Sequence, residues 1–326
     1  MSFTVSTILN QFMTIGLSVV FVKFFDLGAM GMLLGMGVSI SLIDILLIFQ
    51  SNIMRWIKFQ KVEWTFLLPI FKYGIPIAAT SLSAWIINQS NKFIMNSIKG
   101  FHEAGIVGVG YGLTLPLLMT MFAIITVAAI PRIINMYEEK IDVRPIISRF
   151  TGYYLLFSLP LVTVMALYAT DYVNIFANAK FASAFHLIPY FAFGTFFLAL
   201  TDYTTLQYHL ANKTYIDFII KLISGIVGVV LNVMLIPEYG LVGVGIATLS
   251  ANFLYFLLSI IIVLPNLRLR LPVSMLAKML ISAIPFGLLY VLFEHENIGY
   301  PILKMLSLLI VFYLSYWAIC KVYKRA

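Results

Sequence analysis

The sequence predicts an all-α, polytopic transmembrane helical bundle of about ten spans. Three observations carry this. The 326 residues are 62% hydrophobic and only 10% charged, whereas a soluble domain is roughly 45–50% apolar and about 25% charged. The apolar stretches are long and continuous, near the roughly 20 residues that a helix needs to cross about 30 Å of hydrocarbon. A membrane barrel would instead alternate in segments of about ten residues.

Ten spans follow in order, at 3–25, 29–49, 73–95, 105–130, 153–168, 187–206, 218–236, 241–264, 273–293 and 302–320. The fifth is short and can extend backward into the amphipathic stretch before it. Pro237, Pro265, Pro272 and Pro301 stand at span ends, where a helix tolerates a missing N–H. Gly74-Ile-Pro76, Pro116, Pro160, Pro189 and Pro285 fall within spans; they are packing kinks or the broken helices that transporters place beside a cavity. The first apolar stretch has no basic leader and no small-residue cleavage site, so it is read as a span.

Orientation follows from lysine and arginine, which collect in cytoplasmic loops. With the N-terminus inside, fifteen of them fall in cytoplasmic segments or the adjoining span ends, and only Lys23, Lys99, Lys180 and Lys304 in the outer segments or the span ends beside them. Both termini are then cytoplasmic. The same asymmetry accounts for the net charge of +8 without any nucleic acid. Two inner segments, 51–65 with Trp56, Phe59 and Trp64, and 132–150 with Ile133, Ile134, Ile146 and Ile147, read as interfacial helices or as solvated connectors.

Enzyme chemistry finds little support. The four histidines, His102, His186, His209 and His295, are far apart in sequence, and Cys320 is the one cysteine. Neither pattern forms a metal cluster or a disulfide framework. Gly105-Ile-Val-Gly-Val-Gly-Tyr-Gly112 and Gly240-Leu-Val-Gly-Val-Gly245 lack the Gly-Lys-Ser/Thr of a phosphate loop. Small residues at the start of a span serve close helix packing instead. No cofactor and no ATP site are expected.

Ionisable groups inside spans are costly, about 2.5–3.5 kcal/mol each at a helix centre, and normally face a cavity or a partner. Asp44, Lys92, Asp202 and Lys221 are such groups. Lys92 has the strongest polar context, with Asn88, Gln89 and Asn91 within two helical turns and Ser81 on the face of Asn88. That stripe reads as the wall of a water-filled or substrate-lined interior, against the alternative of snorkelling to the outer interface. Asp44 and Asp202 face a cavity or pair locally. Lys221, barely a turn inside its span, is expected to snorkel.

The residues then resemble a family. Lys72-Tyr-Gly-Ile-Pro-Ile-Ala-Ala-Thr-Ser-Leu-Ser-Ala-Trp85, Asn91-Lys-Phe-Ile-Met95 and Ala104-Gly-Ile-Val-Gly-Val-Gly-Tyr111 resemble the opening of the second lobe of Wzx-type polysaccharide flippases. These are members of the multidrug/oligosaccharidyl-lipid/polysaccharide exporter superfamily. Leu231-Asn-Val-Met-Leu-Ile-Pro-Glu-Tyr-Gly-Leu-Val-Gly-Val-Gly-Ile-Ala-Thr-Leu-Ser250 is similar to the family's most recognisable stretch, and 176–181 to its outer loop. The resemblance runs from about residue 65 to about 265.

It implies two helical lobes around a central cavity and transport of an undecaprenyl-pyrophosphate-linked oligosaccharide across the bacterial cytoplasmic membrane for surface polysaccharide synthesis. The implied organisation is 1–64 as the last two helices of a first lobe with a connector, 65–265 as a six-helix second lobe, and 266–326 as two additional helices. About four helices of the first lobe would be missing, which leaves an inactive remnant as an alternative. A drug/cation antiporter, a lipid II flippase and a membrane-embedded transferase are the others. The expected partners are the lipid-linked substrate, membrane lipids and polysaccharide assembly proteins. Candidate substrate-binding residues are Lys92, Asn88, Gln89, Asp202 and Asp44. Asn91 stands where relatives often carry an Asp, which would free the Lys92 charge for an anionic ligand.

Overall fold

The computed structural model describes residues 3–51, 64–264, 273–295 and 301–323. Every stretch expected to span is helical. The helices are α1 (Phe3–Lys23), α2 (Gly28–Ser51), α3 (Trp64–Lys99), α4 (Phe101–Glu138), α5 (Arg144–Leu167), α6 (Ala169–Phe176), a 3-10 helix (Ala179–His186), α7 (Ile188–Leu210), α8 (Thr214–Ile261), α9 (Val273–His295) and α10 (Pro301–Tyr323). Five described helices are long and apolar enough to cross a bilayer unaided, and a sixth span arises if the 3-10 helix and α7, bent by 60°, count as one. Bulky side chains such as Phe93, Phe101, Ile124, Val127 and Met234 are exposed. In water such a surface would aggregate; in a bilayer it is the lipid-facing belt.

The helix α8 accounts for two of the ten expected spans. Its 48 residues contain a non-helical residue, Gly240, at φ 54° and ψ −124°. Only glycine adopts that backbone without strain, and Pro237 just before it cannot donate a helical hydrogen bond. The chain folds back there. A Cβ on Gly243 would lie 2.6 Å from the Leu235 carbonyl oxygen, so glycine is required where the two halves touch. The Lys99 ammonium, at the end of α3, donates to the Pro237 carbonyl at 3.1 Å.

The segment 132–150 forms no separate interfacial helix; the fifth span extends backward into it, as its short length allows. The helix α4 runs on through Pro131 to Glu138, Lys140 takes a positive φ of 61°, and α5 begins at Arg144 with a proline in its first turn. Proline there suits a helix start. The Arg144 guanidinium meets Asp142 at 2.8 Å, closing the corner. The other expected interfacial segment, 51–65, lies largely outside the described residues. Pro189 does not break a span either; it sits in the first turn of α7.

The chain divides into two compact units, Met1–Leu67 and Leu68–Ala326. In the first, α1 and α2 approach closely: a Cβ on Gly35 would fall 2.4 Å from Ser18 Oγ, and the Ser39 hydroxyl donates to Asn10 Oδ1 at 2.7 Å. In the second, α4, α5 and α7 surround an aromatic column. Phe122, Tyr154, Phe196 and Tyr203 have ring centroids 5.1–6.1 Å apart in successive pairs. Gly110 meets Leu187 and Phe191 within 3.3 Å of an added Cβ, and Gly245 meets the Tyr190 ring at 2.7 Å. The glycine-rich runs therefore serve helix packing, as their position predicts. Met279 and Phe286 of α9 and Leu308 and Phe312 of α10 join the same core.

Candidate functional site: a polar cavity among α3, α4, α7 and α8

The second unit contains a cavity of about 580 Å3. It lies toward one end of the bundle, where a second apolar cluster, Ala129, Ile133, Val143, Ile147 and Leu210, ties the end of α4 to the starts and ends of α5 and α7. This is the end that carries Arg132, Lys140, Arg144 and Lys213.

The two walls differ. From α4 come Phe122, Thr126, Ala129, Ile130, Ile133 and Ile134; α7 and α8 supply most of the charge, with Asp202, His209, Asp217 and Lys221 beside Thr205, Tyr255, Leu206 and Leu210. Tyr73 of α3 and Tyr137 and Glu138 of α4 complete the titratable lining.

The polar wall is a connected group. Asp217 is 4% exposed and accepts a hydrogen bond of 2.5 Å from the Tyr255 hydroxyl. Its other oxygen lies 3.4 Å from His209 Nε2. The Lys221 ammonium sits 5.4 Å from the Tyr255 ring centroid, a cation–π distance. Asp202 lines the same cavity. Among the described residues the Tyr203 hydroxyl is buried without a hydrogen-bond partner, although its ring borders the cavity.

A second buried polar group lies elsewhere in the unit. The Asn91 amide donates to the Tyr111 hydroxyl at 2.9 Å and to Thr248 Oγ1 at 3.1 Å. It accepts from Asn232 Nδ2 at 2.7 Å. This neutral network ties α3, α4 and both halves of α8 together. The neutrality of Asn91 is therefore used in packing, and its amide belongs to this network.

The sequence candidates separate. Asp202 lines the cavity. Lys92 and Gln89 are half-buried on α3 and are not among the cavity-lining residues; the Asn88 side chain lies outside the described residues. Asp44 is exposed on α2, in the other unit. Lys221, expected to snorkel, lines the cavity beside the Tyr255 ring and the neighbouring carboxyl groups. His209, Asp217 and Tyr255 escape sequence reading. A signal existed in the placement of a histidine in the last turn of α7 and an aspartate in the first turn of α8, separated by the short Ala211-Asn-Lys213 turn.

Among the described residues no group of three acidic, histidine or cysteine side chains is arranged to hold a metal ion.

Comparisons with known proteins agree on the kind of molecule. A solved structure of lipid II flippase MurJ, in an inward closed conformation, superposes with a TM-score of 0.69 at 15% identity, covering 98% of this chain and 67% of that one. The two share a fold. Uncharacterized membrane protein MJ1375 of Methanocaldococcus jannaschii is 27% identical over 206 residues, 61% of this chain and 46% of the relative. Uncharacterized membrane protein MJ1068 of the same organism is 29% identical over 111 residues, 33% of this chain and 21% of the relative. The chain thus matches about half the length of one curated relative and a fifth of the other. The family model described as polysaccharide biosynthesis protein matches residues 1–186, more than half of the chain, and this polytopic membrane protein belongs to that family.

Proposed function

We propose that the chain is a flippase that moves a lipid-linked oligosaccharide, carried on undecaprenyl pyrophosphate, across the bacterial cytoplasmic membrane for cell-surface polysaccharide synthesis. The observation that carries this reading is the family match over residues 1–186 on a chain that shares its fold, over nearly its whole length, with a lipid II flippase. The chain acts as a transporter with no bond-breaking chemistry of its own. Both termini face the cytoplasm, in keeping with the lysine and arginine bias. Residues 65–265 act as the second lobe, 266–326 as two appended helices, and 1–64 as part of the first lobe.

Lys92, with Asn88 and Gln89 beside it on α3, takes the pyrophosphate. A dianion on a greasy tail loses hydration as it enters a low-dielectric path, and a cation recovers part of that cost. Asp202, on the cavity wall, provides a polar contact to the sugars. Movement follows rocking of helical repeats around a fixed site.

Reconstitution tests the reading. Proteoliposomes with a fluorescent undecaprenyl-pyrophosphate oligosaccharide should show transfer between leaflets above that of protein-free vesicles. Equal rates in both would end it. The fold likeness to the lipid II flippase supports a second reading in which the cargo is lipid II. Faster movement of lipid II than of the oligosaccharide in the same vesicles would select it.

A further inference from the structure

The α7–α8 corner bears charge in an unusual arrangement. His209 occupies the last turn of α7 and Asp217 the first turn of α8. A cation at a helix C-terminus and an anion at a helix N-terminus each meet the favourable end of a helix dipole. The two side chains are 3.4 Å apart and face each other across a turn in which Asn212 takes a φ of 57°. They meet as an ion pair only when the imidazole carries a proton.

The acidic groups outnumber the basic ones. Asp202, Asp217 and Glu138 bring three carboxyl groups to the cavity lining and Lys221 one ammonium, with Tyr73, Tyr137, Tyr203 and Tyr255 as phenols. Burying an uncompensated charge is costly, and a proton on His209 beside Asp217 reduces that excess locally. A metal ion is a poor fit, because no three ligating side chains converge among the described residues.

We propose that His209 and Asp217 form a proton-operated clamp: a proton taken from the water binds His209, completes the ion pair with Asp217 and ties α7 to α8 across their turn. Proton loss opens the clamp, leaving the Tyr255–Asp217 hydrogen bond as the main polar contact of that carboxylate. No covalent bond other than the N–H changes. The site lies apart from Lys92 and needs no cargo. Its use to bias transport rests on the flippase reading.

Hydrogen exchange of the detergent-solubilised full chain tests the clamp without any cargo. Amides of 211–216 should exchange several-fold more slowly at about pH 5 than at about pH 8, after correction for intrinsic rates, across the range in which imidazole changes charge. His209→Gln and Asp217→Asn should remove that pH dependence. Asp217→Asn keeps shape and a partner for Tyr255, so it guards against a folding defect. His209→Lys, with a permanent charge, should protect the turn at both pH values. Wild-type protection that does not change with pH overturns the proposal, as does His209→Gln retaining the full change. In proteoliposomes, flux that varies with pH in the wild type should lose that variation in both neutral variants. Absence of wild-type flux at every pH would count against the flippase reading and leave the exchange result to decide the proton site.

Discussion

Asn91 uses its side-chain amide to hold three helices, and its neighbour Lys92 has a different environment one position along α3. The pair shows what one sequence reveals at this scale. A polar stripe at 88–92 was legible from composition, because amides and a lysine in an apolar span must find partners. Which of them faces a buried network was not, since that depends on Thr248 and Asn232, more than a hundred residues away. Removing the Asn91 amide takes a hydrogen bond from each of those partners, although Asn232 and Thr248 keep bonds to the Gly228 and Val244 carbonyls. Asn91→Ala is expected to cost about 1–3 kcal/mol, from several buried hydrogen bonds of about 0.5–1.5 kcal/mol each, and to lower the thermal midpoint in detergent. Lys92 should behave differently. Lys92→Gln is expected to leave the midpoint unchanged and to reduce surface polysaccharide in cells, while Lys92→Arg retains more activity. Normal export by Lys92→Gln would remove Lys92 from the substrate path.

Among the elements, α8 followed its sequence most closely. Proline, then an aromatic, then glycine inside one long apolar run predicted a break, and Gly240 supplies it at a positive φ. The corner at 139–143 was harder to read. Its charges suited an interfacial helix, yet Pro145 favoured a new helix start over a continuous amphipathic stretch, and the Asp142–Arg144 pair closes the turn. The cavity was legible only in part. Asp202 and Lys221 stood out as charges in apolar spans, whereas His209 and Asp217 lay at span ends, where charge is ordinary. The close contact within α8 yields a prediction. Gly243→Ala places a methyl 2.6 Å from a backbone oxygen, which cannot yield as a flexible side chain can. It should destabilise the chain by about 1–3 kcal/mol, read as lower abundance in membranes. Gly108→Ala, where an added Cβ meets nothing within 4 Å, is the control.

For the whole molecule, composition announced the class and the lipid-facing belt, because so much apolar surface has no soluble arrangement. The spatial meeting of α7 and α8 required the fold. Orientation remains a matter of charge and is open to a direct test. In a Cys320→Ala background, Lys180→Cys should label from outside and Lys213→Cys only after the membrane is opened; the reverse pattern would invert the topology. The fold-back at Gly240 has a further consequence for biogenesis. A straight helix of 48 residues would measure about 72 Å at about 1.5 Å per residue, more than twice the hydrocarbon thickness. Its two halves are therefore separate arms of a hairpin, and the turn between them carries one formal charge, Glu238. Both arms must be synthesised before their contact at Gly243 can form.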